Sequence, residues 1–137
     1  MSAPARTFKV RMSERCFRFK PDALGSHAPP KPGVYEFVTF DAEGKAAVLY
    51  VGLALPPANV QQILADHMAG KAKPTSAELF GAAKDVYFDY VADADIESLD
   101  DLKDIAGAFI AKHKPRFNAG AAPSSGKYAA VSVEELD

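Results

Sequence analysis

The 137-residue sequence contains one cysteine, Cys16, and no tryptophan. A single cysteine excludes a disulfide within the chain, which fits a reducing compartment. No run approaches the ~20 apolar residues that span a bilayer, and the N-terminal segment lacks the apolar stretch of a secretory signal. We therefore expect a cytoplasmic protein that has no membrane partner.

Basic residues are scarce in the middle of the chain. Residues 33–111 carry five basic and thirteen acidic residues, whereas residues 1–32 carry seven basic and two acidic ones. A nucleic-acid surface needs clustered lysine and arginine, and an acidic surface repels a polyanion. The candidates for phosphate contacts therefore lie near the two ends of the chain: Arg11, Arg15, Arg18, Lys112, Lys114 and Arg116. The alternative is that these charges are simply solvated.

The composition, 48% hydrophobic and 25% charged, is that of an ordinary globular domain. Alternating and β-branched residues predict three strands, and apolar residues at helical spacing predict two longer helices and a short one after Ser76. The order is strand 33–40, strand 46–54, helix 59–71, strand 84–93 and helix 95–114. We expect an α/β (α+β) fold, a small three-stranded antiparallel sheet flanked by helices.

The chain divides into three parts by composition. Residues 1–31 form a basic arm and linker, with two short alternating pieces that predict either amphipathic strands or an extended arm. Residues 32–118 form the domain. Residues 119–137 form a tail, which begins with a flexible low-complexity run and ends in a segment that could dock on the sheet as a short strand.

Three motifs of residues 32–118 resemble those of the GIY-YIG nuclease family. Gly33-Val34-Tyr35 on the first strand and Tyr50-Val51-Gly52 on the second resemble the two halves of its signature, and KPRFN (114–118) resembles its closing motif. The three motifs follow in the order and approximate spacing of the family. The resemblance implies the family fold and a relation to enzymes that cleave DNA phosphodiesters with one divalent metal ion.

The resemblance carries four candidate catalytic residues to this chain. Tyr35 and Tyr50 match the signature tyrosines, which hold or deprotonate the attacking water, and Asn118 matches the closing asparagine. His67 stands near the end of the first helix, where many members have a histidine. Each has a plainer interpretation: a strand aromatic for the tyrosines, a cap after a proline turn for Asn118, and a capping or surface residue for His67.

Two essential groups of the family do not carry over. Its arginine, about two turns after Gly52, falls in a segment without lysine or arginine, where Gln61 or Gln62 is the nearest polar residue. Its metal-binding glutamate falls at Ala106, which cannot bind a metal. We therefore expect no cofactor, and Mg²⁺ or Mn²⁺ only if the protein is active.

Three hypotheses follow from these residues. The first is a catalytically inactive GIY-YIG-like module that binds nucleic acid or a protein. The second is an active, divergent metal-dependent DNA endonuclease, with the missing groups supplied from elsewhere. The third is a homo-oligomeric structural or interaction protein. Two roles are possible for Lys112, Lys114 and Arg116: contact with phosphate, or a favourable interaction with the C-terminus of a helix.

Overall fold

A computed structural model describes residues 4–120 and 122–136 of the chain. The ends of the predicted arm and tail, residues 1–3 and 137, and residue 121 lie outside the described residues. The strands are β1 (Ala5–Met12), β2 (Phe17–Arg18), β3 (Gly33–Phe40), β4 (Ala46–Ala54), β5 (Tyr87–Ala94) and β6 (Ala130–Glu135). The helices are α1 (Pro21–His27), α2 (Val60–Met68), α3 (Ser76–Ala82) and α4 (Asp101–His113).

The fold is mixed α/β, but its sheet is larger than the sequence predicted. The strand order is β4-β3-β5-β1-β6, with β2 also beside β5. The antiparallel strands β4, β3 and β5 form the predicted three-stranded sheet. The predicted size is wrong because β1 pairs antiparallel with β5 and parallel with β6, and β2 adds a short second partner to β5.

Strand β1 belongs to the sheet although the sequence assigned it to a basic arm. Its apolar residues Phe8 and Val10 are fully buried, while the basic residues that alternate with them face outward. Such alternation is what a strand with one covered face requires. The boundary predicted between residues 31 and 32 therefore separates β1 from β5, although the two strands pair in one sheet.

Two hydrophobic clusters cover opposite faces of the sheet. On one face, Tyr35, Phe37 and Phe88 pack against α1, α2 and α3. On the other, Val34, Val51 and the two buried residues of β1 pack against α4. Because neighbouring residues of a strand point to opposite faces, Val34 and Tyr35 of the signature segment belong to different clusters.

Local hydrogen bonds set the helix ends. The Asn59 side chain accepts a hydrogen bond from the Gln62 backbone N–H at 2.8 Å, and it caps α2 as predicted. Helix α4 begins at Asp101 rather than near residue 95. The Asp101 carboxylate accepts hydrogen bonds from the N–H groups of Glu97 and Ser98, and these bonds hold that segment in a turn before the helix.

The tail is fixed to α4 through two buried carboxylates. Asp101 is fully buried and binds the Lys127 ammonium at 2.7 Å. Asp104 accepts hydrogen bonds from the backbone N–H and the hydroxyl of Ser125. The tail then continues into β6, which was predicted as a small docking strand. Among the described residues, no helix has the length and apolarity that crossing a bilayer requires.

Candidate functional site

Tyr35 and His67 form a buried hydrogen-bonded pair between β3 and α2. Each is 1% exposed, and the Tyr35 hydroxyl lies 2.7 Å from His67 Nε2. His67 Nδ1 lies 2.8 Å from the backbone oxygen of Pro74. A carbonyl oxygen only accepts, so Nδ1 carries the proton, and Nε2 of the neutral ring accepts from Tyr35. His67 is therefore a buried structural acceptor and not the surface or capping residue of the plainer interpretation.

Burial keeps these groups in their neutral forms. It lowers the pKa of His67 and raises the pKa of Tyr35, to which the neighbouring Tyr50 adds a further rise. Burial also raises the pKa of Tyr50, although its interaction with Tyr35 offsets part of the rise. Near neutral pH the two phenols are hydrogen-bond donors, and neither is a base that readily takes a proton from water.

The two signature glycines leave room for neighbouring side chains. Gly52 stands opposite Tyr35 in the β3–β4 ladder, and a Cβ atom on Gly52 would lie 2.0 Å from Tyr35 Cζ. A Cβ atom on Gly33 would lie 3.3 Å from a Val60 methyl group. Gly52 is thus required by the position of the Tyr35 ring, whereas the space beside Gly33 is only tight.

Asn118 completes the outer edge of β4. Its side-chain oxygen accepts from the Val51 N–H, and its side-chain nitrogen donates to the Val51 carbonyl, both at 2.9 Å. The preceding Phe117 N–H donates to the Leu49 carbonyl at 3.1 Å. Both hydrogen-bonding groups of the Asn118 amide therefore have backbone partners, as in a strand pairing with β4.

A cavity of about 520 Å³ lies between the β4 edge, α4 and the start of the tail. Tyr50 and Asn118, two of the four predicted catalytic residues, line it together with Ala106 of α4. Ala106, the position of the family glutamate, is 1% exposed and stands on this wall. None of the described lining residues carries a carboxylate, so these residues do not fit a divalent metal ion.

Lys73 supplies a cation to this cavity, and the sequence did not identify it. It is exposed, and it precedes the buried Pro74 whose carbonyl oxygen binds His67. The sequence search looked for a cation on α2, where the family has its arginine. Lys73 lies after that helix, in the connection to α3, where spacing alone gave no reason to select it.

The two glutamines nearest to the family arginine position point elsewhere. The Gln61 side chain donates to the Ala28 carbonyl oxygen at the end of α1, at 3.3 Å. The Gln62 side chain donates to Asp66 one turn later on α2. Both line a separate groove beside α1, so neither replaces the arginine at the cavity.

The predicted basic residues occupy several elements rather than one patch. Arg11 lies on β1 and Arg15 in the following turn, while Arg18 on β2 forms a 3.5 Å ion pair with Asp85. In the last turn of α4, Lys112 binds Glu135 at 3.0 Å, and Lys114 and Arg116, which follow the helix, are exposed. The Arg116 guanidinium lies 5.3 Å from the ring centre of Phe117, which lines the cavity, but Arg116 is not itself one of the described lining residues.

A pair of buried carboxyl groups joins β3 to β5 on the α4 face. Glu36 and Asp89 stand opposite each other in the ladder, and each has one buried oxygen without a described hydrogen-bond partner. Burial and mutual repulsion raise the pKa of Glu36, and burial raises the pKa of Asp89. Burial next to Asp89 also raises the pKa of Cys16, to about 12, which makes its thiol inert at neutral pH.

Among the described residues, no three His, Cys, Asp or Glu side chains lie together as the ligands of a metal ion would. Comparison of the chain with protein-family models, with curated proteins and with solved structures finds no significant match. The residues themselves and their geometry therefore carry the functional argument.

Proposed function

We propose that this chain is a GIY-YIG-like domain that binds nucleic acid and does not cleave it. One observation carries the proposal. The cavity that holds Tyr50 and Asn118 is bounded by Ala106 at the family glutamate position, and Lys73 is the charged side chain on its described wall. The wall thus favours an anion and lacks the ligand that a catalytic metal ion needs.

Loss of cleavage follows from transition-state electrostatics. Charge grows on the phosphate during hydrolysis, and a metal ion and a fixed cation normally stabilise it. Here the metal ligand is an alanine, and the raised pKa values of Tyr35 and Tyr50 disfavour proton abstraction. An active enzyme, the second hypothesis, would need a carboxylate that moves into the cavity from outside its described wall.

Nucleic acid is a better partner than a protein for this particular surface. The net charge of residues 33–111 is negative, but Lys73 lines the cavity and none of the described lining residues carries a carboxylate. The acidic residue that interacts with Lys73 is Glu78 of α3, which lies outside the described wall. Two aromatic rings, those of Tyr50 and Phe117, are also half-buried in its wall. Cations beside aromatic rings are the typical surface for contacts with phosphates and bases.

The test combines binding and cleavage on the full chain. We expect binding to fluorescein-labelled DNA whose affinity falls steeply as salt rises from 50 to 200 mM, because bound phosphates release counterions. We expect no plasmid nicking with Mg²⁺ or Mn²⁺. Absence of binding at low salt would overturn the proposal in favour of a protein partner. Nicking that Tyr50→Phe abolishes would establish the nuclease instead.

A further inference from the structure

We infer that the cavity beside Tyr50 holds an unpaired nucleotide of a single strand, with Lys73 against its phosphate. The inference rests on the proposed function and specifies the form of nucleic acid that the site accepts. Three features of the cavity carry it: its volume, the aromatic rings of its wall and the cation Lys73.

The cavity is large enough for a small organic group and not only for a phosphate oxygen. Its volume of about 520 Å³ lies within the range of small-molecule sites. Four of the described lining residues have little or no side chain, which leaves space for a ligand. They are Ala106, Ala119, Gly120 and Ala122.

The wall combines aromatic rings with polar groups. Tyr50 and Phe117 contribute half-buried rings. The Asn118 amide is engaged with Val51, and the Tyr50 hydroxyl interacts with Tyr35, so both polar groups already have partners within the protein. Stacking of this kind is tolerant of base identity, and we therefore expect weak sequence preference.

A base inside a duplex cannot use such a wall. Paired bases are stacked within the helix, and a protein reaches their faces only when the nucleotide is single-stranded or flipped out. A rigid duplex would contact Lys73 and Arg116 through its backbone alone. The cavity would then stay empty, and its aromatic surface would add no affinity.

The experiment compares single-stranded and duplex DNA in binding to the full chain. Fluorescence anisotropy at 50 mM salt uses a labelled 12-nucleotide oligothymidine and a duplex of the same length. We expect at least fivefold tighter binding of the single strand, since stacking of one base is worth roughly that factor. Lys73→Met is expected to weaken binding of the single strand and to lower its salt slope by about one.

Lys45→Met is the matched control, because Lys45 is exposed at the β3–β4 turn and outside the cavity wall. Phe117→Leu, with folding checked by circular dichroism, is expected to remove the preference for the single strand. Equal binding of both DNA forms, or an unchanged affinity in Lys73→Met, would overturn this inference and leave the proposed function standing. No binding of either form would overturn both.

Discussion

The ring of Tyr35 occupies the space that a side chain at Gly52 would need, since a Cβ atom there would lie 2.0 Å from Tyr35 Cζ. The two residues face each other across the β3–β4 ladder. We therefore expect Gly52→Ala to destabilise the fold by about 3 kcal/mol or more, because a packed core resists added volume. Urea unfolding measures the loss.

Gly81→Ala is the control for that substitution. Gly81 lies in α3, and a Cβ atom there meets nothing within 4 Å. Its replacement is expected to leave stability unchanged or raise it slightly. In addition, the cost of Gly52→Ala is expected to shrink in a Tyr35→Leu background, because leucine lacks the atoms that clash. Equal costs in both backgrounds would contradict this explanation.

Tyr35→Phe is expected to destabilise the protein by about 1–3 kcal/mol. The change removes the hydroxyl that donates to His67 Nε2 and leaves a buried acceptor without a partner. Tyr87→Phe is the control, since the Tyr87 hydroxyl makes no hydrogen bond with a described residue. A stability loss of the same size in both variants, measured by urea unfolding, would argue against the buried pair.

Asn118→Asp is expected to show a pH-dependent stability defect. At pH 7 the aspartate accepts from the Val51 N–H but cannot donate to the Val51 carbonyl, so it faces that oxygen as an anion. Protonation at low pH restores a donor. The difference in stability from the wild type should therefore narrow between pH 7 and pH 4. A constant difference would mean that the Asn118 donor contributes nothing.

Glu36→Gln is expected to stabilise the protein increasingly as pH rises. The folded-state pKa of Glu36 lies above its ordinary value of 4.5, so above that pH the folded chain holds more protons than the unfolded chain. The free energy of unfolding of the wild type then falls with rising pH. Glutamine does not titrate, so the variant lacks this pH dependence. Its free energy of unfolding relative to the wild type should rise by about 1 kcal/mol or more between pH 5 and pH 8.

Glu43→Gln provides the baseline for that comparison, because Glu43 is exposed at the β3–β4 turn. Its stability difference from the wild type should not vary with pH. Taking differences between variants also cancels the opposite contribution of His67, whose lowered pKa makes the fold more stable as pH rises through 6.5. A flat profile for Glu36→Gln would place an ionised carboxylate at this position.

The central strands and α2 followed from the sequence because their patterns are local. The strand predictions of 33–40 and 46–54 match β3 and β4, and Asn59 caps α2 as expected. Local patterns gave no partner for β1, since pairing with β5 and β6 is decided by residues far along the chain. The predicted start of α4 was too early, because the Asp101 carboxylate accepts hydrogen bonds from the N–H groups of Glu97 and Ser98 and holds that segment in a turn before the helix.

For the site, the sequence identified residues but not their surroundings. Tyr50 and Asn118 were selected by motif, and the structure brings them to one cavity with Ala106. The sequence did not identify Lys73 as a residue of the site, because its position depends on how the connection after α2 folds. The pairing of Glu36 with Asp89 could not be predicted either, because it depends on the register of β3 and β5 and on burial.

The parallel pairing of β1 with β6 joins residues that are nearly the whole chain apart, with Ala5 opposite Ala130. The other partner of β1 begins at Tyr87. During synthesis, β1 must therefore wait for β5 and β6, which leave the ribosome later, before the sheet can close. Such long sequence separation slows folding, because a large loop has to be ordered before the contact forms. Until then, β1 lacks its partner β6, and the unfinished chain exposes an unpaired strand edge that can pair with other chains.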